Sequence, residues 1–166
     1  MNPAHLHLIT NHIPVLGSVG ILFVMLYGFV FKNDSIKKLG LVLAILVALT
    51  SIVAFKSGHK SEDIAEKFPG VTEHMIDEHE EAAELAFYTL EAVGGLALLA
   101  LLACKKESIA KLLTLLVFLG SIAATVTMGR AAKLGGEIRH PEARPDFQIP
   151  ASPEGTSGEH SHHHDD

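Results

Sequence analysis

Four long blocks of apolar residues, separated by short polar connections, make up most of the first 130 residues of the chain. The blocks cover residues 13–31, 39–55, 80–104 and 109–128, and the third opens with an acidic turn before it becomes apolar. At about 1.5 Å of rise per residue, each block crosses a hydrocarbon core about 30 Å thick. Lipid admits only helices or closed barrels, and no stretch alternates with a period of two residues. The pattern therefore predicts an all-α integral membrane protein, an antiparallel four-helix bundle over residues 1–142.

The two ends of the chain differ from this pattern. Asn2 and Pro3 are typical of a helix start and predict a short interfacial helix before the first span. Pro14 removes a backbone hydrogen bond and should kink or restart that helix. The first span has no basic residues before it, so it is expected to be retained rather than cleaved as a signal peptide. Residues 143–166 are rich in Pro, Ser, Gly, His and acid and are predicted to be a disordered tail.

Further signals predict where the helices end. Gly58 is interpreted as the C-cap of the second helix, and Thr72 as the N-cap of the third. A short helical turn is expected near Ile64 in the connection between them. The pair Gly135-Gly136, after the fourth span, is interpreted as a turn.

Composition narrows the class of function. The chain has 166 residues, of which 48% are hydrophobic, and a formal net charge of −6, which argues against nucleic-acid binding. Its single cysteine, Cys104, allows neither an internal disulfide nor covalent attachment of a c-type haem. Neither a hydrolytic triad nor a phosphate-binding glycine loop is recognisable. These features argue against a stand-alone enzyme of the hydrolytic or nucleotide-binding classes.

The distribution of lysines predicts the orientation. The first and third connections are short and lysine-rich, whereas the segment before the first span has neither Lys nor Arg. Short lysine-rich connections favour the cytoplasmic side. We therefore expect a multi-pass protein of the bacterial inner membrane with both termini in the periplasm.

The histidines before the tail all fall at one end of the predicted bundle. Because the spans alternate in direction, the start of the first and third helices and the end of the second and fourth meet at the outer face. The residues concerned are His5, His7, His12, His59, His74, His79 and His140. Bundles build cofactor sites from inward side chains of facing helices. Imidazole suits iron, copper and zinc, and a pair of histidines holds haem iron. For any single histidine, a hydrogen bond to headgroups or loop backbone is the alternative.

The predicted ligand set follows from this convergence. His12 and His79, on the first and third helices, are the predicted axial pair. Candidates for a second site are His59, His7 and His140. Arg130 and Arg139 lie near the same surface and suit carboxylate-bearing groups such as haem propionates, although both are also typical interfacial residues.

One carboxyl group is predicted deep in the membrane. Glu91 lies about 18 Å below His79 along the third helix. It is interpreted either as a carboxylic acid bonded to a hydroxyl such as Ser51 or Ser121, or as part of a proton relay.

Three motifs resemble a known family. His7-x4-His12-x-Pro14 enters the first span, His79-Glu80 opens the third, and Gly135-Gly136-x-Ile138-x-His140 follows the fourth. In this order they resemble a family of small four-helix bacterial membrane proteins of unknown function, over roughly residues 5–142. Its members are suspected b-type cytochromes or redox-chain components, sometimes joined to cytochrome c or Rieske modules. The resemblance implies electron transfer, with His7, His12, His79 and His140 as the family-type histidines.

The leading hypothesis is thus a membrane-anchored cytochrome with one haem b, or two, that transfers electrons at the periplasmic face. Its expected partners are a quinol and a cytochrome c or another redox protein attracted by the acidic loop. One alternative is a non-haem site for zinc, copper or iron, with Glu80 or Asp77 as added ligands. Another is a cofactor-free accessory subunit of a respiratory complex. For the state of assembly, a homo-oligomer and a respiratory-complex subunit are both left open. The histidines of the tail, residues 160 and 162–164, are a further possible metal-binding element.

Overall fold

A computed structural model describes residues 3–144 and residue 147 of the chain. The helices, in chain order, are α1 (Pro3–Thr10), α2 (His12–Val30), α3 (Asp34–His59), α4 (Glu62–Ala65), α5 (Glu73–Leu102) and α6 (Glu107–Arg139), with 3-10 turns at Ala103–Lys105 and Pro141–Ala143. No strand occurs within the described ranges, and the predicted all-α class is confirmed. Nearly all of the predicted tail lies outside the described residues.

Within this part of the chain, four helical segments are long and apolar enough to cross a membrane. They are residues His5–Val30, which join the end of α1 to α2, and the helices α3, α5 and α6. The prediction of a multi-pass four-helix bundle is therefore confirmed. The longest, α6, continues to Arg139, well past the predicted end of the fourth span at residue 128.

The long helices form a ring in which each one packs mainly against two neighbours. The order around the ring is α2, α3, α5 and α6, and α6 closes it against α2. The short helix α1 folds back onto α3. Consecutive long helices are joined by short connections or by the α4 segment, so neighbours in the ring run antiparallel.

The inside of this ring combines many small side chains with a few large ones such as Met25 and Leu90, and bulky apolar side chains cover the outside. Buried positions include Ala48, Ala86 and Ser121, whereas Leu102 and Val126 are about 70% and 68% exposed. The helices α3 and α5 approach closely, because a Cβ added at Gly94 would lie 2.5 Å from the Cβ of Ala48. Small residues at helix contacts and apolar residues outside are typical of packing in lipid.

The helix boundaries confirm two of the predicted signals. Thr72 caps α5, and its Oγ1 accepts a hydrogen bond from the Met75 backbone N–H at 3.3 Å. The expected short turn near Ile64 is α4. The first helix breaks at Asn11, three residues before Pro14, whose missing N–H leaves the Thr10 carbonyl without its helical partner.

Two predicted helix ends were wrong. Gly58 is not a C-cap, because α3 continues through it to His59. Gly135 and Gly136 do not form a turn, because α6 runs through both to Arg139. At Gly58 and Gly135, a neighbouring imidazole occupies the space that a side chain would need.

Candidate functional site

A cavity of about 540 Å³ lies at the end of the bundle where α3 and α6 finish and α5 begins. This volume is typical of small-molecule and cofactor sites. The predicted site residues that line it are His7, His12, His59, His79, His140 and Arg139. Arg130 is exposed and is not among the lining residues. The structure thus brings together every predicted histidine ligand, from four different helices and the residue after α6.

The backbone of α3 holds the His7 ring in place. The His7 Nδ1 lies 3.0 Å from the carbonyl oxygen of Ala54, which is buried. The imidazole also covers Gly58, where an added Cβ would lie only 3.1 Å from the ring Cε1. The ring is therefore seated on the turn of α3 between these two residues.

His79 is held against α6 in the same way. Its Nδ1 lies 3.1 Å from the carbonyl oxygen of Ala131, which is also buried. An added Cβ at Gly135 would lie 2.9 Å from the His79 Cε1. In both places the carbonyl that contacts the ring belongs to the residue four positions before a glycine. Two separate helices therefore present the same backbone site to a histidine. We call this site, an alanine carbonyl with a glycine four residues later, a glycine seat.

These contacts determine which nitrogen of each ring is available to bind a metal ion. A carbonyl oxygen only accepts hydrogen bonds, so the Nδ1 atom of His7 and of His79 carries the hydrogen. The Nε2 atom of the neutral ring then has a free lone pair, which is the form of imidazole that ligates metals. Both rings line the same cavity. The cavity therefore has two oriented imidazole donors from helices α1 and α5.

The other predicted histidines lie differently. His12 is exposed at the first residue of α2. The His59 Nδ1, at the end of α3, lies 3.0 Å from Glu80 Oε1 of α5. The His140 Nδ1 lies 3.0 Å from Glu142 Oε1, and both side chains are more than 60% exposed. The backbone N–H of Glu142 and the His140 ring hold the pKa of the Glu142 carboxyl below its usual value. Two of these three rings thus pair with carboxylates.

The connection between α3 and α5 forms the outer wall of the cavity. The Arg139 guanidinium lies 5.1 Å above the ring centre of Phe68, and both residues line the cavity. Arg144 donates from Nε to the Glu137 carbonyl at 2.9 Å and from Nη1 to the Gly70 carbonyl at 2.7 Å. Arg144 therefore joins the connection to the end of α6. Gly70 has a positive φ of 75°, the left-handed region that favours glycine.

Aromatic rings form the inner wall. Phe55 of α3 and Phe87 of α5 stack with ring centres 4.2 Å apart and planes 6° apart. Both line the cavity, together with the buried Ser51. This wall gives the cavity an apolar, aromatic side.

Sequence reasoning identified the histidines but missed the two glycine seats. A signal was present, since Ala54-x3-Gly58 and Ala131-x3-Gly135 repeat the same spacing near the ends of two helices. Within the described part of the chain, no group of three or more His, Cys, Asp and Glu side chains is placed to hold a metal ion. No family model, curated protein or solved structure matches this chain. The resemblance to the four-helix family therefore stays a prediction.

Proposed function

We propose that this protein is a membrane-anchored b-type cytochrome whose haem is held in the cavity by His7 and His79. The observation that carries the proposal is the matched pair of seats, each of which directs the hydrogen to Nδ1 and leaves Nε2 free. Haem takes two axial ligands from the protein, whereas zinc sites take three or four. A pair of oriented imidazoles beside an apolar wall fits haem better than a bare metal ion.

The backbone contacts also prepare the ligands for binding. Second-shell hydrogen bonds fix the orientation of a ligating histidine and raise its basicity. Because the partners are main-chain carbonyls of Ala54 and Ala131 within helices, they cannot rotate away as a side chain would. Each ring is therefore oriented before a cofactor would arrive, which would lower the entropic cost of binding.

The mouth of the cavity supplies the contacts for the polar edge of a haem. Arg139 lines it and is exposed, so its guanidinium can pair with propionate carboxylates. When bound, haem supplies one-electron redox chemistry. The exposed carboxylates of the first turns of α5, including Glu73, Asp77 and Glu81, then favour the approach of a basic partner such as a cytochrome c.

The choice of His7 departs from the pair predicted from the sequence, His12 with His79. His12 is exposed at the start of α2, whereas His7 has the same backbone seat as His79. An oriented ring loses less conformational entropy on ligation than an exposed one. This difference makes the ligand assignment testable by single substitutions.

The test is the absorption spectrum of the purified, full-length protein produced with an adequate haem supply. We expect about one haem per chain and the reduced spectrum of a bis-histidine cytochrome. His7→Ala and His79→Ala should each abolish that spectrum, while His12→Ala, the matched control, should retain it. A colourless wild-type protein contradicts the proposal. Loss of the spectrum in His12→Ala with retention in His7→Ala would restore the pair predicted from the sequence.

A further inference from the structure

Glu91 places a carboxyl group within the apolar part of α5. It is half-buried, and its Oε1 lies 2.7 Å from the Ser51 hydroxyl of α3. Ser51 is one of the two hydroxyl partners that the sequence suggested for Glu91. An ionisable group at this depth is costly and is by default a sign of function.

Ser51 connects this carboxyl group to the cavity. It is only 2% exposed and lines the cavity, and its hydroxyl also lies 2.8 Å from the Ala48 carbonyl oxygen. A deprotonated Glu91 accepts the Ser51 hydrogen, whereas a protonated Glu91 donates to Ser51 while Ser51 donates to Ala48. The pair therefore suits both protonation states, as a group that exchanges protons requires.

The surface of α5 beside Glu91 carries small, exposed residues. An added Cβ at Gly95, one turn further along α5, would meet nothing within 4 Å. Ala92 is exposed, and Tyr88 is 58% exposed. We call this surface, formed by Tyr88, Glu91, Ala92 and Gly95, the α5 notch. On the same face of α5, Leu85 and Leu99 are bulky and exposed. The small side chains of Ala92 and Gly95 therefore leave a shallow recess between them, on the face of α5 that would meet lipid.

Aromatic rings join the notch to the cavity wall. The ring centre of Tyr88 lies 5.4 Å from that of Phe87, which stacks on Phe55 at 4.2 Å. Phe87 and Phe55 both line the cavity. The notch and the cavity are therefore separated by a single layer of side chains, Ser51 on one path and Phe87 on the other.

We infer that the α5 notch binds a lipid-soluble hydroquinone, the electron donor of the proposed cytochrome, and the inference rests on that proposed function. The donor must dissolve in hydrocarbon, which favours a neutral aromatic ring. It must also donate a hydrogen bond to the carboxylate of Glu91, which requires a hydroxyl. A hydroquinone has both features, and its ring packs on Tyr88 as aromatic pairs do.

The reaction at the notch balances in two equal steps. In each step an O–H bond of the hydroquinone breaks, its proton passes to Glu91 and one electron passes to the one-electron cofactor in the cavity. Between the steps Glu91 gives this proton to the Ser51 hydroxyl oxygen, and Ser51 releases its own hydroxyl proton to solvent water that enters the cavity. After two steps, the hydroquinone has lost two protons and two electrons and leaves as the quinone. The cofactor has then been reduced twice, and its partner has re-oxidised it once between the two steps.

The test compares two reductants on haem-loaded, full-length protein in phospholipid vesicles. Decylubiquinol probes the notch, and dithionite reports reduction that does not depend on it. We expect Glu91→Gln to slow reduction by decylubiquinol roughly 100-fold, the loss typical of removing a general base. Glu91→Asp, which keeps a carboxyl group, should recover part of the rate. Gly95→Val, which fills the notch, should also slow this reaction.

The control variant is Glu84→Gln, an exposed carboxyl on the same helix outside the notch. It should reduce at the wild-type rate, and all variants should keep the wild-type spectrum and the wild-type response to dithionite. A wild-type rate with decylubiquinol in either Glu91→Gln or Gly95→Val overturns the inference alone. A colourless wild-type protein overturns the proposed function together with this inference.

Discussion

A histidine seated on a helical glycine is the unit from which the candidate site is built. A glycine in a helix interior costs up to about 1 kcal/mol relative to alanine, and α3 and α6 each carry one where an imidazole lies. The missing side chain lets the ring approach the helix closely enough for its Nδ1 to reach the carbonyl of the preceding turn. The cost in helix propensity is thus offset by control over the orientation and tautomer of the ring.

Gly135→Ala should remove this control at His79. The new Cβ would lie 2.9 Å from the ring Cε1, so the imidazole must move away from the Ala131 carbonyl. We expect haem binding to weaken about 10- to 100-fold, the usual effect of losing a second-shell contact. Titration of the apoprotein with haemin measures it.

The neighbouring glycine provides the control for this substitution. Gly136 has open space where a Cβ would stand, and alanine is the better helix former. Gly136→Ala should bind haem as the wild type does and unfold no more easily. Equal haem affinity in the two variants would show that the glycine seat does not position His79.

At the scale of the elements, close approach of small residues sets the spacing of the long helices. Where α3 meets α5, Gly94 faces Ala48, and the same two helices carry the stacked rings of Phe55 and Phe87. Lipid offers no hydrophobic driving force between helices, so van der Waals contact of this kind is the main source of stability. The spacing of α3 and α5 also determines the width of the cavity wall.

Gly94→Val should force these two helices apart. Its Cβ would lie 2.5 Å from that of Ala48, and overpacking of this kind costs about 1–3 kcal/mol. Thermal unfolding in detergent, followed by circular dichroism, should show a lower midpoint. Gly95→Val is the matched control, because that position opens onto empty space, and it should unfold near the wild-type midpoint. An unchanged midpoint in Gly94→Val would contradict the packing argument.

At the scale of the whole molecule, the long helices alternate in direction. The cavity and the short lysine-rich connections therefore lie at opposite ends of the bundle. The connection between α2 and α3 contains Lys32, and that between α5 and α6 contains Lys105 and Lys106. The positive-inside rule predicts that these connections face the cytoplasm. The cavity would then open toward the periplasm, where an extracytoplasmic electron acceptor could reach it.

The single cysteine allows this orientation to be measured. Cys104 lies in the 3-10 turn between α5 and α6, so a membrane-impermeant maleimide should label inside-out vesicles and leave intact spheroplasts unlabelled. A Cys104→Ser protein that also carries Glu66→Cys, in the connection between α3 and α5, should show the reverse pattern. Labelling of Cys104 in spheroplasts would place the cavity on the cytoplasmic side.

The amino-acid sequence alone determined the class of the fold, the number of long helices and the end of the bundle at which the histidines meet. Length and hydropathy suffice for these features because lipid leaves the backbone few alternatives, and chain reversal then assigns each helix end to a side. The deep carboxyl at Glu91 and its hydroxyl partner were also within reach of such reasoning.

Only the tertiary structure decided what the glycines do and which histidines are oriented. Gly58 and Gly135 have the local signature of a cap or a turn. Nothing near them in the sequence reveals that the rings of His7 and His79 lie where their side chains would be. These histidines are 51 and 56 residues away along the chain. The selection of His7 over His12 likewise depends on the packing of α1 against α3. Contacts between distant segments are set by how helices fit together in space, which a local pattern of residues does not encode.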